Sequence, residues 1–280
     1  MADTDTARVN KAYFNKLAAE YDAKYEKTTL QLEREVRKRK DFIGADWVVD
    51  EDEDDGGEDG KRVKLLDYAC GTGLISRALA QFTTHCVGVD ISENMVAVYN
   101  ARAENQGLST DEMRAYQGDL TDPSDPDPAA FSASSDPSGR FRDFDVAGVG
   151  LGFHHFADPE LSARRIVERL RPGGVFFILD FLPHGTADTT ALPAASTVMH
   201  HGFSEERMRA VFEQAGAGKD FALEEIGGGI VFGGHGHGHG HGQTHGDGHQ
   251  HGHGHGHGHS HGEEEEGMKR RVFLARGTKV

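Results

Sequence analysis

Lys64-Leu65-Leu66-Asp67-Tyr68-Ala69-Cys70-Gly71-Thr72-Gly73-Leu74 sets an acid near the end of an apolar run, then a Gly-X-Gly bend, then the start of a helix. An apolar run of this length reads as a buried strand. The bend needs residues without bulk, because a ligand and the backbone approach closely there. The helix that follows starts with unpaired N–H groups. A dinucleotide fingerprint would need a third glycine, so that the helix packs closely and a pyrophosphate sits at its N-terminus. Ser76 stands in that place. Asp67 also directs negative charge at the bend, which disfavours a pyrophosphate and suits a ligand carrying positive charge.

The next strand ends the same way. Val87-Gly88-Val89-Asp90-Ile91-Ser92 places an acid where it can accept hydrogen bonds from both hydroxyls of a ribose. A third acid, Asp119 in Gln117-Gly118-Asp119-Leu120, follows a third short strand, within reach of an adenine amino group.

Outward from these motifs, short apolar runs alternate with amphipathic segments. Strands are expected at Val63–Tyr68, His85–Val89, Met113–Gln117, Phe144–Leu151 and Val175–Leu179, and helices at Leu74–Phe82, Glu93–Gln106 and Glu160–Leu170. Such alternation implies a parallel sheet covered on both faces. Ser204 is placed to cap a further helix ending at Gln214. Two last strands, Phe221–Ile226 (extending towards Phe232) and Arg271–Ala275, have no helix between them and should pair antiparallel. Upstream, Asn10–Lys40 reads as helical, with Phe14, Leu17, Tyr21 and Tyr25 at three- and four-residue spacing.

Taken together these segments resemble class I S-adenosylmethionine-dependent methyltransferases, in particular the small-molecule group that includes the ubiquinone and menaquinone C-methyltransferases. LLDYACGTG is similar to that family's first motif, VGVDIS to its ribose-binding strand end, QGDL to its adenine-side segment and LRPGGVFFILDF to its fifth strand. YFNKLAAEYDAKY is similar to the helix that closes over the methyl donor. The resemblance implies a Rossmann-like α/β fold, a seven-stranded mostly parallel sheet of order 3-2-1-4-5-7-6 with strand 7 antiparallel and helices on both faces. It also implies that Asp67, Ala69, Gly71 and Gly73 line the methionine moiety of S-adenosylmethionine, with Tyr21 on the closing helix. Asp90 would hold the ribose, Ile91 and Met95 would lie beside the adenine, Asp119 and Leu120 would contact it, and Gly150 or Leu151 would border the donor. One departure is Ala69, which stands where the family often has its first glycine.

The implied reaction is in-line methyl transfer to a small-molecule acceptor. Alignment can supply much of that catalysis, and a base is needed only where the acceptor must lose a proton. The candidates are His154 and His155, just after the fourth strand and with His155 preferred, and His200 and His201 before the last helix.

The resulting organisation is a helical cap at 1–49, an acidic linker at 50–61, and a methyltransferase core at 62–232 and 268–280. The core is interrupted by a Pro/Ser/Asp-rich loop at 121–140 and a His/Gly-rich insert at 233–267. Neither interruption is expected to bury apolar surface. The insert carries twelve histidines; His235, His237, His239, His241, His251, His253, His255 and His257 in particular suit Ni or Zn, at a distance from the catalytic motifs.

Of the formal charge of −16, twelve units lie in Asp50–Asp59 and Glu263–Glu266. The remaining body is mildly acidic and has no long basic stripe, so nucleic acid is not an expected partner. The short cluster Arg34–Lys40 reads as the exposed face of a helix. No apolar run of about eighteen residues suits a membrane span. The N-terminus lacks the apolar core of a signal peptide, and two internal cysteines suit a reducing compartment. The expectation is a monomer or weak dimer in the cytosol, with the nucleus as the alternative. Two other functions fit parts of the sequence: protein methylation, and non-catalytic metal binding on a methyltransferase scaffold.

Overall fold

The computed structural model describes residues 2–48, 61–122, 138–185, 195–232 and 268–280, with 125, 128, 131, 132 and 136 between them. The acidic run at 50–60 and the His/Gly insert therefore lie outside the described residues. In chain order the elements are α1 (Ala2–Lys38), α2 (Lys40–Ile43), β1 (Lys64–Tyr68), α3 (Leu74–Leu79), β2 (His85–Asp90), α4 (Glu93–Asn105) and β3 (Met113–Gln117). Then follow β4 (Phe144–Gly150), α5 (Pro159–Glu168), β5 (Leu170–Phe181), α6 (Glu205–Gln214), β6 (Lys219–Phe232) and β7 (Met268–Thr278).

The strands form one sheet in the order β3-β2-β1-β4-β5-β7-β6. Strands β1 to β5 run parallel, and β7 runs antiparallel to both β5 and β6. The expected order and direction are those observed. Runs such as Leu65-Leu66 and Phe176-Phe177-Ile178-Leu179 are buried because helices cover both faces. Side chains alternate across the sheet, so two core clusters result. Leu66, Val149, Phe176 and Ile178 face one, and Leu65, Val146, Phe177 and Leu179 face the other.

Local chemistry sets the helix ends. Ser92 accepts a hydrogen bond from Met95 N–H, Asp158 from Leu161 N–H and Ser204 from Arg207 N–H, each capping the helix that follows. The helix expected at Leu74–Phe82 tightens into a 3₁₀ turn over its last three residues. Arg171–Gly174, ahead of the strand expected at Val175–Leu179, is absorbed into β5, where Gly173 takes a positive φ of 77°.

Two expectations are corrected. The 121–140 loop does bury apolar surface: Phe131 is 1% exposed and sits edge-on to Phe141 at 4.8 Å. A Cβ on Gly118 would come within 1.9 Å of the Phe131 ring, so the glycine before Asp119 is what lets this anchor in. Burying one such ring contributes roughly 2–3 kcal/mol, and the polar average of the loop hides it. The basic cluster is also not simply exposed. Val36 is fully buried, Arg37 donates to Ala78 O at 3.4 Å, and Arg39 pairs with Glu224 at 3.0 Å.

α1 lies across the carboxyl ends of the strands. It departs from helical geometry at Tyr25 (φ −115°, ψ 17°). Before this kink the helix follows the cleft, and after it the helix runs to the β6 strand. There Thr28 donates to Val231 O at 2.6 Å and Gln31 to Gly229 O at 3.2 Å.

Candidate active site

A cavity of about 570 Å³ lies between α1, the carboxyl ends of β1 to β5 and the amino end of β7. That volume is in the range of small-molecule sites, and the place is where open α/β sheets bind ligands. Most of the expected residues meet there: Tyr21, Ala69, Gly71, Asp90, Ile91, Met95, Asp119, Gly150, Leu151, His154 and His155 all line it.

At the β2 end, Asp90 Oδ2 accepts from Gly71 N–H at 2.9 Å and Oδ1 from Ser92 N–H at 2.8 Å. Each oxygen keeps a second lone pair for a hydroxyl. Burial pushes the Asp90 carboxyl up to about 6, against the lowering effect of those two N–H groups. Asp119 Oδ1 accepts from Tyr68 Oη at 3.2 Å and from both donors of Thr121, at 2.7 and 2.6 Å. Gly71 has open space where a side chain would stand. A buried strand-end acid, with a second acid one strand further out and a bare glycine bend on its other side, fits the nucleoside and methionine parts of S-adenosylmethionine.

Five expected residues are placed elsewhere. Asp67 does not reach the cavity wall. It is 1% exposed, and its Oδ2 accepts from Ser76 N–H at 3.0 Å and Ser76 Oγ at 2.8 Å. Ser76 in turn accepts from Tyr99 Oη at 2.8 Å. The strand-end acid points under the bend, holding the first turn of α3, and burial pushes its carboxyl up to about 7. Gly73 also faces inward, since a Cβ there would come within 2.9 Å of the Tyr99 ring. Leu120 is buried in the core, its N–H donating to Tyr68 Oη at 2.9 Å. His201 is off the wall, accepting at its carbonyl from His184 N–H at 3.1 Å. His200 donates from Nε2 to Phe156 O at 3.0 Å.

Ala69 adopts φ 53° and Leu151 φ 57°, both facing the cavity. A left-handed conformation costs a non-glycine residue about 1–2 kcal/mol. The glycine departure at Ala69 is thus accommodated as backbone strain at the site.

The paired histidines separate into two environments. His154 Nδ1 lies 2.8 Å from Asp180 Oδ1, and its backbone N–H donates to Asp180 Oδ2 at 3.1 Å. Asp180 is fully buried. The buried carboxylate accepts a hydrogen bond from Nδ1–H, which fixes the ring and leaves Nε2 as its second nitrogen. His155 Nδ1 donates to Thr197 O at 2.8 Å, and burial, then the neighbouring His154, pushes its pKa down to about 3. Asp180 went unnoticed in the sequence, although its signal is that of Asp67 and Asp90, a lone acid closing an apolar strand.

α1 is fastened over the donor side by three polar ties absent from the sequence expectations. Asn15 Oδ1 accepts from Ser92 Oγ at 2.6 Å and from Asn94 N–H at 3.2 Å. Asp22 accepts from Thr72 Oγ1 at 2.7 Å and pairs with Arg102. Glu33 pairs with Arg77 at 2.7 Å. Among the described residues no group of three or more His, Cys, Asp or Glu is placed to hold a metal ion, and no helix is long and apolar enough to cross a membrane.

The sequence profile of the methyltransferase domain family matches residues 66–178. An uncharacterised methyltransferase of Schizosaccharomyces pombe is 27% identical over 158 residues, 55% of this chain and 52% of that protein. The ubiquinone biosynthesis O-methyltransferase of Aeromonas salmonicida is 31% identical over 136 residues, 49% of this chain and 48% of that protein. The chain thus spans about half the length of these curated relatives. Among solved structures, a chain from the Haloferax volcanii complex of the Trm112 methyltransferase activator with a methyltransferase superposes with a TM-score of 0.51. It is 22% identical and covers 78% of this chain and 80% of that one. Residues 66–178 are thus similar to the methyltransferase domain family, and the strand order is that of the class I methyltransferase fold.

Proposed function

We propose that the chain transfers the methyl group of S-adenosylmethionine to a hydroxyl oxygen of a small, ring-bearing acceptor, with His154 as general base and Asp180 as the residue that orients it. The observation that carries this reading is the 2.8 Å contact between His154 Nδ1 and the fully buried Asp180 on the wall of the cavity. When bound, S-adenosylmethionine supplies a methyl carbon already activated by its sulfonium. The chain's own residues then have three tasks: to hold the nucleoside, to align the acceptor and to take its proton.

Asp90 and Asp119 are placed for the first task. For the second, Tyr13, Phe14, Tyr25, Phe156 and Phe181 line the cavity and suit a planar apolar ring. For the third, a hydroxyl proton passes to His154 Nε2, and the imidazolium so formed is balanced by Asp180. His155, the preferred candidate from sequence, is the weaker base because its buried ring resists protonation. The name of the Aeromonas salmonicida relative, a ubiquinone biosynthesis O-methyltransferase, supports oxygen as the acceptor atom. A macromolecular acceptor fits less well, because α1 lies over the cavity and is tied to the β2–α4 and β6 regions.

The test is turnover with isotopically methyl-labelled S-adenosylmethionine and a panel of simple phenols. His154→Gln and Asp180→Asn should each lower kcat by about 10²–10⁴-fold, with S-adenosylhomocysteine affinity changed by no more than about threefold. Undiminished kcat in both variants would remove His154 from the chemistry.

A further inference from the structure

The adenine side of the cavity is walled by a loop. Asp119, Thr121 and Asp122 line the cavity, yet they follow the last residue of β3 and belong to no strand or helix. Backbone carbonyls outside a ladder still need hydrogens where they are buried. The acids at 119, 122 and 125 also repel one another along this stretch. Its position must therefore be set from elsewhere in the fold.

What sets it lies behind the wall. Arg165, on the second half of α5, is 7% exposed and stands off the cavity. Its Nη1 donates to Leu120 O at 2.9 Å, to Asp125 O at 3.2 Å and to Asp122 O. One guanidinium thus gathers carbonyls from both ends of the stretch. Its charge offsets the repulsion among the acids, and a charged donor makes stronger bonds than a neutral one. α5 is itself fixed, capped by Asp158 and packed into the core through Ala163, Ile166 and Val167. Arg165 therefore imposes the position of a packed helix on a loop that has no ladder of its own.

On the cavity side, Asp119 Oδ1 takes hydrogens from Tyr68 Oη and from both donors of Thr121. The direction of this carboxyl therefore follows the backbone of 119–121, which Arg165 holds through Leu120.

We propose that Arg165 is a positioning residue for the methyl donor. By fixing the backbone around Leu120 it aims the Asp119 carboxyl at the amino group of the adenine, and so sets the preference for a base that carries that group. This rests on the reading of the cavity as a site for S-adenosylmethionine, and goes beyond it to a residue behind the wall. A site built to bond a particular N–H discriminates against an analogue that lacks it, and it does so only while its acceptor is held in place.

Calorimetry on the full chain compares S-adenosylhomocysteine with its purine analogue lacking the 6-amino group. The natural chain should bind the first about 10-fold or more tighter. Arg165→Met keeps an unbranched stem and removes the donors; Arg165→Gln is the milder change, read where the first does not fold. In either variant the ratio should fall to about threefold or less, through weaker S-adenosylhomocysteine binding, with affinity for the analogue within about twofold of the natural chain's. Arg165→Lys, which keeps a charged donor, should recover part of the ratio. A residue that merely stabilises the fold would shift both ligands together, with neither the selective loss nor that recovery.

An unchanged ratio in folded Arg165→Met or Arg165→Gln overturns the proposal, as does an equal loss for both ligands. Equal binding of the two ligands to the natural chain overturns it too, while leaving the methyl-donor reading in place. Absence of S-adenosylhomocysteine binding to the natural chain overturns that reading along with it.

Discussion

Asp67 and Asp90 close neighbouring parallel strands with the same side chain, yet the structure gives them different work. Asp67 turns beneath the glycine bend to hold Ser76, whereas Asp90 opens onto the cavity. Substitution should separate them. Asp90→Asn leaves a single oxygen to accept hydroxyls and is expected to weaken S-adenosylhomocysteine binding by about 10–100-fold, since hydrogen bonds to a charged group contribute about 1.5–3 kcal/mol. Asp67→Asn should stay within about threefold of the natural chain.

The pH dependence follows from the same carboxyl. Burial raises Asp90 from its ordinary 3.8 to about 6, so below about pH 6 the free protein carries it protonated and one acceptor position is lost. Affinity should therefore fall as pH drops through 6, and Asp90→Asn should flatten that dependence. For stability the sign is opposite. A raised carboxyl pKa favours the folded state fully below the unfolded value, and the benefit is lost as pH rises through the folded one. Calorimetric titration of S-adenosylhomocysteine between pH 5 and 8 (a range of about three units around the shifted value) checks the binding side. A pH-independent affinity in the natural chain would contradict the role given to Asp90.

α1 has the spacing of an amphipathic helix, but before the kink its apolar stripe (Phe14, Leu17, Tyr21) faces a cavity, whereas Leu32 and Val36 beyond it pack into the core. Attachment of the first half therefore leans on polar ties at Asn15 and Asp22, with Thr28, Gln31 and Glu33 adding to the packed second half. Asp22 joins the helix both to Thr72 in the glycine bend and to Arg102 on α4. Asp22→Ala leaves two partners unpaired and should loosen the segment over the methyl donor, weakening S-adenosylhomocysteine about 10-fold and speeding its release. Amide hydrogen exchange in α1 should rise while the strands stay protected. Unchanged exchange in the helix would mean that its aromatic contacts suffice to hold it.

Across the whole chain, the described core closes without the His/Gly insert. β6 and β7 pair from Phe232 with Met268 to Lys219 with Thr278, so the sheet is complete on either side of residues 233–267. A chain in which a short turn replaces 233–267 should keep S-adenosylhomocysteine affinity and methyl transfer within about threefold and lose Ni or Zn binding; long loops add little closure entropy, about 0.6 kcal/mol per doubling of length. Loss of turnover in that chain would tie the insert to catalysis. Loss of every measurable activity except metal binding in the natural chain would favour the metal-binding alternative.

The alternation of strands and helices, the antiparallel end of the sheet, the helix cap at Ser204 and the acid at 90 were legible along the chain, because each depends on neighbours close in sequence: apolar period, a capping hydroxyl, an acid at a strand end; the strand order came only with the family resemblance. The places where reading failed share the opposite property. Asp67 and Asp180 look alike as strand-end acids, and only the packing of Ser76 under one bend and His154 over another strand tells them apart. Phe131 was lost in a polar average, since a single ring finding the gap over Gly118 leaves no periodic trace. Arg165 lies 45 residues from the Leu120 carbonyl that it holds. Backbone propensity and apolar pattern are written locally, whereas which polar atom meets which is settled only once distant segments are brought together.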